Sequence, residues 1–176
     1  MEAPRFLATF PDFPTNIHMK LTSTEIRTHL RTQFPNLKNG QIQSVDGDYA
    51  VPTRRWLEHT FVPYFQSYKA AYGVEFWTKE EFDCDDFALC FAAEARKAHH
   101  RSQSPDKPKD CTLSVGFMHF TSHGSGGIGE GYHAACVAVV WNQETNEQET
   151  LTLEPQNGWT TQLKPEERQS CDFVYM

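Results

Sequence analysis

The chain lacks both a basic leader and a long apolar run. Its opening residues, MEAPRFLATFPDFPTN, have no basic start followed by an apolar stretch, so no secretory signal is read there. No window holds the roughly 20 apolar residues that cross a bilayer. These absences predict a soluble protein, cytoplasmic by default, with no membrane insertion. Basic residues are the minority, 16 Lys and Arg against 23 Asp and Glu, for a net charge of -7. A nucleic-acid binder would present a basic face, so that class is excluded. CxxC pairs are absent, which removes the usual zinc sites. The 5 cysteines (Cys84, Cys90, Cys111, Cys136 and Cys171) are odd in number and widely spaced. That does not suit a disulfide framework, so at least one thiol is free. No internal repeat is found.

What is present is aromatic: 13 Phe, 6 Tyr and 4 Trp in 176 residues. This suits one ordered domain over 1–176, long enough to bury a core. Residues 1–20, rich in Pro and Phe, are expected to wrap its surface. Ser23 to Gln33 reads as a short helix, with Ser23 or Thr24 near its start. Asn39-Gly40 and Asp46-Gly47-Asp48 are turns. Thr53 is placed to cap a helix to about Tyr72 that Pro63 kinks or interrupts. The clearest helix follows Asp83, with Phe87, Cys90, Phe91, Ala95 and Ala98 on one stripe, and ends near His99-His100.

Beyond the polar run 101–110 the pattern turns to strands: Cys111 to Phe120, Tyr132 to Trp141, Glu149 to Glu154 and Asp172 to Met176. A glycine-rich loop, 124–131, joins the first two, and a hairpin turn spans 142–148. Helices first and an antiparallel sheet afterwards predict an α+β domain.

Cys84 stands in the first turn of the clearest helix, where free backbone N–H groups favour a thiolate and can receive an oxyanion. Its neighbours Asp83, Asp85 and Asp86 repel that charge, so something positive must offset them. A protonated histidine is one answer. A divalent cation on Asp85 or Asp86 is another, since hard oxygen ligands suit Ca²⁺ or Mn²⁺. Asp83 belongs to the same acidic group, and the turn at Asp46 and Asp48 can add oxygens. Without partners, Asp83 and Asp86 are helix caps and Cys84 is packing.

A cysteine nucleophile needs an imidazole and a group that orients it. His133 opens the apolar strand YHAACVAVV directly after the flexible loop, with His119 and His123 as rivals flanking that loop. Glu154 ends the next strand, and Asn157 is the weaker alternative. Counting back from the hairpin turn, His133 is farther than Glu154, so their meeting requires a bulge or an uneven turn.

The stretch DCDDFA resembles the motif of bacterial transglutaminase-like cysteine proteinases. FDCDDFA, YHAACV and LEPQNG, in that order over about residues 45 to 160, are similar to the C-terminal catalytic domain of mushroom chimerolectins of the fairy-ring agglutinin type. The resemblance implies a papain-like fold and a calcium- or manganese-dependent cysteine protease, a hydrolase acting on peptide bonds. Cys84 would be its nucleophile, His133 its base and Glu154 the orienting acid, with Asp85 and Asp86 on the metal. Trp77 looks like the tryptophan found upstream in related sites, where an indole N–H can serve the oxyanion. No Gln lies between Tyr68 and Cys84 to act as a papain-style donor. The implied partners are a peptide or protein substrate and, for self-association, a second copy of the chain. Two alternatives stay open: a transglutaminase or cell-wall amidase using the same acyl-enzyme, and a non-catalytic metal-binding interaction module on a peptidase-like fold.

Overall fold

The structure is a computed structural model that describes residues 19–74, 82–102 and 110–176. Its frame is a six-stranded sheet in the order β2 (Ile42–Gln43), β9 (Phe173–Tyr175), β5 (Val115–Ser122), β6 (Gly131–Asn142), β7 (Glu147–Glu154), β8 (Trp159–Thr161). All neighbours pair antiparallel except β2 and β9, which run parallel. A smaller sheet joins β1 (Met19–Thr22), β3 (Asp48–Val51) and β4 (Thr112–Leu113).

β6 explains its own sequence. Ala134, Cys136, Ala138 and Val140 face one core, and Ala135, Val137 and Val139 face the other. A strand covered on both sides reads as an unbroken apolar run. The first core lies under α3 (Val62–Tyr72) and α4 (Cys84–Arg101), where Phe91 meets Phe61 and Phe65 edge-on at 5.0 and 4.9 Å. The second lies under α1 (Ser23–Gln33), through Ile26 and Leu30. Ser114 stitches the two sheets together. Its hydroxyl reaches the carbonyls of Ala50 at 3.0 Å and Val139 at 2.7 Å.

The helices follow their local chemistry. α1 starts one residue earlier than its expected cap, on Thr22, which forms a reciprocal pair with Glu25. Thr53 caps the next helix as expected. That helix runs as α2 (Arg54–Trp56), a π-helical stretch over Leu57–Phe61, and then α3, with Pro63 in the first turn of α3. The irregular stretch immediately before a proline that cannot donate is the interruption Pro63 was expected to cause. A short helix, α5 (Pro165–Ser170), precedes β9.

Three expectations are corrected. First, helices do not precede strands: β1, β2 and β3 lie in the first third of the chain. Two to four residues each, they are too short to show a period and exist through distant partners, such as Ile42 beside Val174. Second, the sheets are mixed, with parallel pairs β2–β9 and β3–β4, so neither the antiparallel sheet nor the segregated α+β, papain-like plan describes the molecule. Third, the glycine-rich loop is fastened. The N–H groups of His123 and Ser125 donate to the buried Glu167 carboxylate at 2.7 and 3.2 Å, and Ile128 is buried. The surface role of residues 1–20 falls on residues outside those described, except that Met19 and Lys20 begin β1.

Gly116 marks the tightest approach in the sheet. A Cβ there would lie 1.8 Å from the Tyr175 carbonyl oxygen, which is backbone and cannot swing aside. Gly116→Ala is expected to prise β9 from β5 and destabilise the domain by about 2 kcal/mol or more in urea unfolding. An unchanged midpoint would show that the strands separate without cost.

Candidate functional site

Cys84 is the first residue of α4. Asp83 caps that helix, its carboxylate receiving the Asp86 N–H while the Asp83 N–H donates to Asp86 Oδ2 at 3.3 Å. The reciprocal cap fixes the first turn and leaves Cys84 partly exposed at the positive end of the helix. His133, third in β6, is brought beside the Cys84 thiol. Its Nε2 lies 2.7 Å from Glu154 Oε2, and the carboxylate is 3% exposed. The other Glu154 oxygen receives the Gln156 N–H at 3.0 Å.

No bulge is needed for this meeting. β6 and β7 keep an even register to Cys136 opposite Leu153, which leaves Glu154 diagonal to His133. A diagonal neighbour is within reach of two long side chains. Phe120 meets the imidazole edge-on at 5.9 Å and fixes its plane.

The electrostatics follow from this packing. Burial opposes charge on His133, but the hydrogen bonds to Cys84 and Glu154 and the Glu154 charge outweigh it, raising the imidazole to about 9. The ring therefore keeps its proton at neutral pH, and the sulfur faces both a cation and a helix N-terminus. Cys136 and Cys171 have the opposite surroundings: burial pushes Cys171 up to about 12 and Cys136 well above the ordinary thiol value. Burial also raises Cys90.

One oxygen or sulfur from each of Asp83, Cys84 and Asp85 lies within 4.8 Å of the others. Asp83 is raised, chiefly by its hydrogen bond to Asp85, and Asp85 is lowered, chiefly by the same bond. Asp83 Oδ1 is buried without a hydrogen-bond partner. A cation held between these oxygens fits this donor set. Asp86 is held in the helix cap. Asp46 is not brought to this group. It lines a cavity with His99, His100 and Thr112, at the far end of α4, about 22 Å from Cys84 at 1.5 Å per helical residue. Asp48 sits opposite Thr22 on β3 and joins no such group among the described residues. Trp77 lies outside the described residues. Of the rival histidines, His119 stacks among Phe117, Tyr132 and Phe173, and His123 is tied to Glu167 through its backbone.

No protein-family model matches the chain, and no curated protein does. Solved structures do. One is described as a PSL1a-E64 complex, with TM-score 0.63 and 22% identity over 89% of this chain and 50% of that one. Another is the Polyporus squamosus lectin bound to the human-type influenza-binding epitope Neu5Aca2-6Galb1-4GlcNAc, with TM-score 0.61 and 23% identity over 89% and 49%. The likeness is one of fold. The chain spans about half the length of the solved chains it matches.

These matches correct the family expectation. One neighbour is described as a lectin and neither as a cysteine peptidase, so the papain-like and transglutaminase-like assignment, the chimerolectin catalytic-domain resemblance and the metal-dependent thiol protease activity drawn from them are not retained. The expected peptide or protein substrate has no support among them. The physical reason is that a Cys–His–acid contact is a geometry, and a geometry on a shared fold does not name the bond that is broken. No helix among the described residues is long and apolar enough to cross a membrane.

Sequence reasoning missed Gln156 as a partner of Glu154, and it missed α3 behind that turn. The motif LEPQNG carried the only signal, a turn immediately after an acid.

Proposed function

We propose that this chain is a ligand-binding domain that captures electrophilic ligands covalently at Cys84. The supporting observation is the contact chain Cys84–His133–Glu154, with a protonated imidazole beside the only thiol at a helix N-terminus among the described residues. One structural neighbour is described as a complex with E64. With an epoxide as the electrophile, the sulfur forms a bond to one ring carbon and the carbon–oxygen bond of the epoxide breaks. The released oxygen takes the proton held by His133. Glu154 keeps the ring oriented throughout.

Asp83 and Asp85 would hold Ca²⁺ or Mn²⁺ when either is supplied. Such an ion offsets the carboxylate charge beside the sulfur.

The test is mass-spectrometric mapping of E64 and iodoacetamide adducts. Cys84 is expected to label about 100-fold faster than Cys90 or Cys171, the lead that a thiol at a helix N-terminus beside an imidazolium has over thiols without such partners. Equal rates at these thiols would overturn the reading.

A second reading is carbohydrate binding, favoured by the sialylated epitope on the other neighbour. A groove of about 410 Å³ between α1 and strands β7 and β8 supports it, because Thr150, Thr152, Thr160, Gln33 and Gln162 offer hydroxyls and amides to a saccharide. Calorimetric titration of the chain with that trisaccharide decides this reading, and the absence of heat at millimolar sugar would remove it.

A further inference from the structure

We infer that Lys69 and Gln66 of α3 are positioning residues for the Cys84 site, acting through the turn that follows β7. The inference rests on the reading of Cys84 given above and names what holds its acid in place.

Glu154 ends β7, and the chain reverses through Pro155, Gln156, Asn157 and Gly158, closed by the Gly158 N–H on the Glu154 carbonyl at 2.8 Å. Inside the turn, the Gln156 N–H donates to Glu154 Oε1, which leaves Oε2 for His133. Outside it, α3 grips the carbonyls of Pro155 and Gln156. Gln66 Nε2 donates to the Pro155 oxygen at 3.0 Å, and Lys69 Nζ donates to the Gln156 oxygen. The fit is close: a Cβ on Gly158, where φ is +77°, would lie 3.0 Å from both Gln66 Nε2 and Val62 Cγ1.

Lys69 is 3% exposed, which is unusual for lysine. Its ammonium lies 5.3 Å from the ring centre of Phe87 and 6.0 Å from that of Phe65. Phe87 stands three residues after Cys84 on α4, so this one cation touches the helix that carries the sulfur and the turn that orients the acid. Burying an ammonium costs several kcal/mol unless it is well matched, and an apolar side chain would pack α3 more simply. The cation fixes the peptide plane after Gln156, and Gln66 fixes the plane before it, which carries the Pro155 carbonyl and the N–H that Glu154 receives. A tilt of that plane would move Oε2 away from the imidazole.

The experiment compares Lys69→Met and Gln66→Met with the unaltered chain. Three quantities are read: the iodoacetamide rate at Cys84, the thermal midpoint, and the low-field proton resonance of the His133 Nε2–H bond to Glu154. Both variants are expected to slow labelling by about 10-fold or more, the size seen when outer partners of oriented histidines are removed. The resonance should shift or broaden in both. A lysine that serves packing alone would lower the midpoint and leave the resonance in place, and that result overturns the inference. If Lys69→Met does not fold, the half-buried Gln66 decides the matter by the same criterion. The resonance also separates this inference from the reading it rests on. Slow labelling of the unaltered chain defeats covalent capture at Cys84, while an unmoved His133 signal in folded variants defeats only the role of α3.

Discussion

His133→Ala is expected to slow alkylation of Cys84 by about 100-fold, the lower end of what a positioned acid–base partner contributes. The argument runs through charge. Asp83 and Asp85 bring carboxylate oxygens within 4.8 Å of the sulfur, and the cation beside that sulfur is the imidazole held protonated by Glu154. Its loss leaves a partly exposed thiol among carboxylates, with only the helix N-terminus in its favour. The fold should persist, because His133 sits at the start of β6, outside both apolar cores. Circular dichroism checks the fold, and rates at Cys90 supply an internal reference. A His133→Ala protein labelled at the original rate would show that Cys84 does not depend on this partner. Added calcium or manganese offers a partial rescue if Asp83 and Asp85 hold it, and chelator should then abolish the rescue.

The second large effect is on stability. The His133 pKa is raised from 6.5 to about 9 in the folded chain, so folding is favoured by proton binding to this ring. The contribution is fully present below 6.5 and is lost as pH rises through about 9. At most it amounts to about 3.5 kcal/mol, since each pKa unit is worth about 1.4 kcal/mol. Urea unfolding across that window, compared between the unaltered chain and His133→Gln, isolates it from other groups that titrate there. The unaltered chain is expected to lose this advantage over the variant with rising pH. Parallel curves would mean that the imidazole is neutral in the fold.

Local chemistry was legible where one segment carried its own instruction. Thr53, Asp83 and Asp86 announce helix starts, and Phe87, Phe91, Ala95 and Ala98 announce which side is buried. The run from Ala134 to Val140 announces an apolar strand, and the structure covers it on both faces. His133 and Glu154 could be matched because a hairpin brings its two ends together whatever lies elsewhere. β1, β2, β3 and β8 stayed hidden, since each is two to four residues long and its reason for being extended lies on another part of the chain. The distance between Asp46 and Cys84 was hidden for the same reason. An Asp-Gly-Asp turn says what it can bind and nothing about which end of α4 it meets. The peptidase expectation failed at a different level, in taking a shared order of side chains as a statement about activity.

The place of β9 in the sheet has a consequence for synthesis. It lies between β5 and β2, so Ile42 and Gln43 find their partners only in Val174 and Tyr175. A nascent chain emerging from the ribosome can form the β5–β6–β7 meander and cover it with α4 while β2 still waits. Until residues 173–175 are free, the meander keeps an open edge at β5, able to accept any extended strand. Residues 173–175 thus close the sheet, and a ribosome that stalls just short of them holds a domain with its central hairpin formed and one side unsealed.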